Sequence, residues 1–137
     1  MPFIKISTLG TEIDKEAIMQ KVEQALYDPQ PDGDQPLVPA GMATCMWQTL
    51  DGLVHEGKGY QAYEAYPAGQ ADVPIFVDLY VNTFLEGSAP KIMELVAGVL
   101  SDGTEFGRKW IFIHTHVGGP QKVFINGTVW DGAMPGT

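Results

Sequence analysis

This 137-residue chain holds a single cysteine, Cys45, which excludes an internal disulfide and any site built on several thiolates. Such usage fits a reducing compartment, and the expected location is cytoplasmic. Arginine is as scarce. Arg108 is the only copy, so bidentate grip on a carboxylate or phosphate has one side chain to draw on. Lysine and arginine together number 8 against 17 acids, for a formal charge of −9. A surface of that average sign repels phosphate backbones and anionic lipid, so no nucleic acid and no membrane is expected as a partner. No apolar run approaches the roughly 20 residues of a membrane span. The opening MPFIKISTLGTEIDKE lacks the basic region and apolar stretch of a signal peptide. The mature chain is therefore expected to begin at or next to residue 2.

The composition is 45% hydrophobic and 18% charged, the balance of one globular domain over residues 1–137. Phe3 to Leu9 has the β-branched content of a strand, with Ile4 and Ile6 on one face and Phe3, Lys5 and Ser7 on the other. After Gly10, the stretch from Thr11 to Asp14 supplies a helix start. Ile18, Val22, Ala25 and Leu26 then recur at helical spacing down to Tyr27. Residues 28–39 carry four prolines and three aspartates and read as an exposed connection. Ala40 to Leu50 is apolar without a clear period, consistent with a buried strand. The Gly-flanked segment holding Tyr60, Tyr63 and Tyr66 takes no assignment.

Val73 to Asn82 has the strongest β-propensity in the chain. A second helix follows, with Ser88 as its expected cap, Pro90 in its first turn, and Ile92, Leu95, Val96, Val99 and Leu100 as one apolar stripe up to Asp102-Gly103. Trp110 to Val117 alternates as a strand, with Trp110, Phe112, His114 and His116 on one face. The tail is expected to form a hairpin around Asn126-Gly127. The layout is thus β-α-β twice, residues 2–50 and 73–117, with a tail over 118–137. The expected fold class is α+β: tandem β-α-β units forming a four-stranded sheet with two helices on one face. The other face needs a cover, and association of subunits is the simplest one.

A proline directly after the initiator Met, opening a strand in a tandem β-α-β chain of this length, resembles the tautomerase superfamily. Within the second unit, Ile75-Phe76-Val77, Leu85-Glu86-Gly87-Ser88 and Arg108-Lys109-Trp110-Ile111 are similar to segments of the 4-oxalocrotonate tautomerase and fused cis-3-chloroacrylic acid dehalogenase groups. The resemblance implies removal of Met1, Pro2 as an N-terminal proton-transfer group at the mouth of an apolar pocket, a homotrimer, and no cofactor. A secondary amine whose charged form is disfavoured by burial is drawn toward neutrality, where it can take and return a proton. The implied activity is isomerase chemistry of the keto-enol type on a small carbonyl compound. Family members acting on carboxylates carry an arginine after the glycine of Leu-Glu-Gly-Arg-Ser, and this chain reads Leu85-Glu86-Gly87-Ser88 without it. Neutral or weakly anionic substrates are therefore expected. The dehalogenases also use a histidine late in the first helix and a glutamate after the last strand. This chain has Tyr27 and His114-Thr115-His116-Val117 there, so dehalogenation is not expected.

The candidate site is accordingly Pro2 and His114 as catalytic groups, His114 polarising a substrate oxygen. Tyr80, Arg108, Trp110, His116 and Tyr27 are candidates for binding substrate. Lys5 lies near Pro2 and would add positive potential, while Cys45 has no basic neighbour in sequence to activate it. The two imidazoles of His114 and His116 project to one side of a strand and invite comparison with a metal site completed by His55. No acidic ligand follows at a recognisable spacing, so no metal is expected. Two other classes of function remain open on sequence grounds. One is a catalytically silent binding or assembly protein of the same fold, and the other is an unrelated ferredoxin-like αβ domain that pairs through its sheets.

Overall fold

The computed structural model describes residues 2–9, 13–33, 35–50, 75–104, 108, 111–125 and 127–133. Strand β1 (Phe3–Leu9) leads to helix α1 (Lys15–Tyr27) and strand β2 (Thr44–Leu50). Strand β3 (Ile75–Asn82), a short 3-10 turn (Glu86–Ser88), helix α2 (Ala89–Gly103) and strand β4 (Ile111–Gly118) follow. A small hairpin closes the described chain, β5 (Phe124–Ile125) against β6 (Thr128–Val129). His55, Tyr60, Tyr63, Tyr66 and Trp110 lie outside the described residues.

Local chemistry accounts for the helix limits. The Asp14 carboxylate accepts the Ala17 amide at 3.2 Å, satisfying one of the amides that a helix start leaves unpaired. At the far end Asp28 is extended, with φ −73° and ψ 145°, because Pro29 disfavours helical geometry in the residue before it. The start of α2 differs from the sequence expectation. Ser88 makes no side-chain cap bond, since the chain runs into the helix straight from the 3-10 turn. Asn82 fixes the turn that leads toward the helix, its Oδ1 accepting the Phe84 and Leu85 amides at 3.0 and 3.2 Å as in an Asx-turn. Gly127, with φ +80°, takes the left-handed conformation that the tail hairpin requires.

The four long strands form one sheet in the order β2-β1-β3-β4. Pairs β1–β2 and β3–β4 are parallel, and the central β1–β3 pair is antiparallel. Each β-α-β unit thus keeps its two strands adjacent, whereas in the ferredoxin-like arrangement the unit is split by another strand. That alternative is overturned by the strand order. One face of the sheet is closed by the helices: Ile4, Ile6, Ile75, Val77, Leu79 and Val81 meet Ile18, Val22 and Leu26 of α1 and Ile92, Val96 and Leu100 of α2, all buried. Each such side chain contributes about 1.5–3 kcal/mol through burial. Val38, from the proline-rich connection, joins them; it is fully buried and its amide donates to the Leu26 carbonyl at 3.2 Å.

Strand β2 departs from the expectation of a buried strand. It is an edge, and it alternates: Cys45 and Trp47 pack on the helix side while Thr44, Met46 and Gln48 are exposed. The Trp47 indole donates to the buried Thr8 hydroxyl at 2.9 Å. Among the described residues, no helix is long and apolar enough to cross a membrane.

Candidate active site

Strand registers sort the open face of the sheet into rows. The row nearest the start of β1 reads Thr44, Phe3, Tyr80, His116 across β2, β1, β3 and β4. The next reads Met46, Lys5, Asp78, His114, and the third reads Gln48, Ser7, Phe76, Phe112. Alternation along each strand puts aliphatic side chains under the helices and these aromatic and ionisable ones on the opposite face.

The first row is the floor of a cavity of about 600 Å³, to which Thr44, Phe3, Tyr80 and His116 all contribute. That size is typical of small-molecule pockets. Its far wall comes from the tail, through Lys122, Val123, Ile125 and Trp130. The tail is folded on itself by the backbone: the Gln121 amide donates to the Trp130 carbonyl at 2.8 Å, and the Trp130 amide donates to the Val123 carbonyl at 2.7 Å. Gly118 makes the close approach possible, since a Cβ at that position would stand 2.5 Å from the Val123 side chain. The Trp130 ring also meets Phe84 edge-on, with centroids 5.8 Å apart.

Stacking continues along the floor. Phe3 and Tyr80 have ring centroids 5.8 Å apart, Tyr80 and His116 4.5 Å, and His116 and His114 4.5 Å. His116 Nε2 lies 2.8 Å from Asp78 Oδ1. Because an ionised carboxylate only accepts, the proton between the two belongs on the imidazole.

Of the residues singled out from sequence, Tyr80 and His116 line the cavity. Pro2 is fully buried immediately before the lining residue Phe3, and its carbonyl accepts the Thr44 amide at 3.0 Å. His114 stands one row back and touches the floor through its stack on His116. Tyr27 does not line the cavity. Its hydroxyl both accepts the Ala43 amide at 3.1 Å and donates to the Ala43 carbonyl at 3.3 Å, which fixes the segment between the lining residues Met42 and Thr44. Arg108 is drawn elsewhere, into an exposed ion pair with Glu94 of α2. Lys122 is among the lining residues that sequence reasoning missed. The hairpin signal at Asn126-Gly127 located the turn, but nothing in the tail's residue pattern says where the hairpin packs.

Among the described residues, two titratable groups are displaced from their ordinary range, Cys45 and Asp32. Burial pushes the Cys45 thiol up to about 12, with the charge of Glu23 adding to the effect, so Cys45 is a packed side chain and not a nucleophile at neutral pH. The exposed Asp32 carboxyl is held below its usual range by its hydrogen bond and charge contact with Lys91. Among the described residues, no group of three histidine, cysteine, aspartate or glutamate side chains is placed to hold a metal ion.

A four-stranded sheet of paired β-α-β units with both helices on one face is the fold of the tautomerase superfamily, and this chain has that fold. Native fused 4-OT superposes with a TM-score of 0.66 at 10% identity, covering 93% of this chain and 94% of that one. A macrophage migration inhibitory factor homologue from Prochlorococcus marinus gives 0.63 at 16% identity, covering 93% and 98%. A malonate semialdehyde decarboxylase inhibited by 3-bromopropiolate gives 0.56 at 13% identity, covering 90% and 88%. No protein-family model matches the chain, and no curated protein matches it in sequence.

Proposed function

We propose that the protein is a tautomerase-like isomerase in which the nitrogen of Pro2, freed by removal of Met1, moves a proton on a small carbonyl compound. The observation that carries this reading is the position of Pro2: it directly precedes Phe3, a floor residue of the cavity, at the start of β1. The proton would be taken from the carbon next to the carbonyl, with the electron pair passing to oxygen as an enolate, and returned at a different atom. A prolyl nitrogen in an apolar setting resists carrying charge and is suited to that exchange. Tyr80 and His116 would form the floor beneath the substrate. Since Arg108 pairs with Glu94, the substrate is neutral or weakly anionic, with Lys122 as a cation on the cavity wall. No cofactor is required for this chemistry.

Self-association is part of the proposal. The open face carries Met46 at 41% exposure, Tyr80 at 40% and Phe112 at 36%, all on the side of the sheet that the helices leave uncovered, and large exposed side chains gathered on one face support association there. A homotrimer is the assembly that the resemblance to the superfamily implies.

Intact mass of the tag-free protein, followed by treatment with 3-bromopropiolate, tests the catalytic reading. The expected result is loss of Met1 and labelling at Pro2 ahead of any lysine. Retention of Met1 in the native host removes the amine, and the same cavity is then a binding site on a catalytically silent protein.

A further inference from the structure

Asp78 and His116 sit on neighbouring strands, but they are not directly opposed. In the β3–β4 register Asp78 faces His114 and Tyr80 faces His116. The Asp78 carboxylate therefore reaches diagonally to His116, at 2.8 Å, while its own β1 neighbour in register is Lys5. His116 is further restrained by near-parallel stacks on Tyr80, at an interplanar angle of 14°, and on His114, at 23°. Its ring is thus held by a hydrogen bond at one nitrogen and by two aromatic neighbours, and it lines the cavity.

From this arrangement we infer that Asp78 and His116 form an acid–base dyad serving the cavity, a proton-transfer group separate from the prolyl nitrogen. The dyad shares the cavity with the proposed site and does not need the amine of Pro2. A carboxylate accepts and cannot donate, so Asp78 places the ring proton on Nε2 and leaves the lone pair on Nδ1. Among the described residues, no hydrogen bond occupies Nδ1. When a carbonyl compound binds, Nδ1 takes a proton from the carbon next to the carbonyl. The C–H bond breaks, an N–H bond forms, and the electron pair moves to the carbonyl oxygen as an enolate. The imidazolium that results is stabilised by the Asp78 charge, and return of the proton from Nδ1 restores the starting state. His116 is the catalytic residue of the pair, and Asp78 is a positioning residue. The apolar character of Phe3, Tyr80 and Trp130 around it favours a neutral aryl ketone as the compound that enters.

Two measurements on the full chain test the dyad. Long-range proton–nitrogen correlation spectra of the histidine rings are expected to show His116 protonated on Nε2, and Asp78→Asn is expected to give a mixture of tautomers. A merely packed histidine would show the same tautomer in both proteins, which overturns the positioning role of Asp78. The second measurement follows deuterium uptake next to the carbonyl of 2-tetralone in heavy water. It uses protein whose Pro2 nitrogen is tied up in an amide by a short N-terminal extension. Blocked protein is expected to exchange faster than blocked His116→Gln by about a hundredfold, the low end of what general acid–base catalysis supplies. The nearly isosteric Asp78→Asn should fall between them, which guards against misfolding of the histidine variant. Exchange by blocked protein no faster than by His116→Gln or by buffer overturns the proposal. If only the unblocked protein exchanges, the prolyl reading stands and the dyad falls. Should blocked and unblocked proteins exchange alike, the dyad stands and the prolyl reading falls.

Discussion

The two faces of one sheet divide the work of this molecule. Under the helices the strands present Ile4, Ile6, Val77 and Leu79, side chains that have no chemistry beyond packing. On the open face the same strands, one residue out of phase, present Phe3, Asp78, Tyr80, His114 and His116. Alternation alone separates the aliphatic core from the aromatic and ionisable side chains, since a side chain on one face has no direct contact with the other. Substitutions can therefore be sorted by face before anything is known of the substrate.

The largest contrast is expected from Leu79→Ala on the closed face. Removing a fully buried leucine from between strands and helices should cost about 2–5 kcal/mol in urea unfolding. Thr8→Val is next: it keeps the β-branched shape but leaves the Trp47 indole without its acceptor, for a loss of about 1–3 kcal/mol. Asp14→Ala removes the cap of α1 and should cost about 1 kcal/mol, again by urea unfolding. On the open face, Phe112→Asp should change the unfolding free energy of dilute protein by about half a kcal/mol or less, yet abolish the self-associated species in sedimentation velocity. A loss of several kcal/mol there, with assembly intact, would break the division between faces. The last contrast is one of rate. Cys45 should resist a thiol reagent at pH 8 in folded protein and react at once in urea. Because folding raises its titration from 9.0 to about 12, the folded state binds the thiol proton more tightly than the unfolded state does. Stability from this group is therefore eroded as pH rises past about 9, and not on the acid side.

The same alternation explains which features were legible in the sequence. The same-face pairs Ile4 and Ile6, or His114 and His116, follow from period two within a single strand, and the helix stripes follow from period 3.6. Ser88 has the residue type of a cap and stands at that position, but the 3-10 turn that brings it into the helix without a side-chain cap bond is decided by how the chain leaves β3. Strand β2 was expected to be buried because its residues are apolar. Its edge position depends on which strands pair, a long-range property that composition does not encode. The cavity follows the same rule. Its floor residues Phe3, Tyr80 and His116 were visible as strand positions, but the row that joins them needs three registers, and its wall needs a hairpin to fold back across the sheet end. Arg108 was lost to Glu94, fourteen positions earlier in the chain, by packing of α2 beside β4.

Pro2 is fully enclosed in the folded chain, and its carbonyl already holds the Thr44 amide. The strands that pair beside it are made later: Thr44 of β2 stands on one side of Phe3 and Tyr80 of β3 on the other. At roughly 5–20 residues per second, the ribosome takes about four to fifteen seconds to reach Tyr80 after releasing Pro2. On the proposed reading, removal of Met1 has these seconds of synthesis in which to act before β3 arrives to pair with β1.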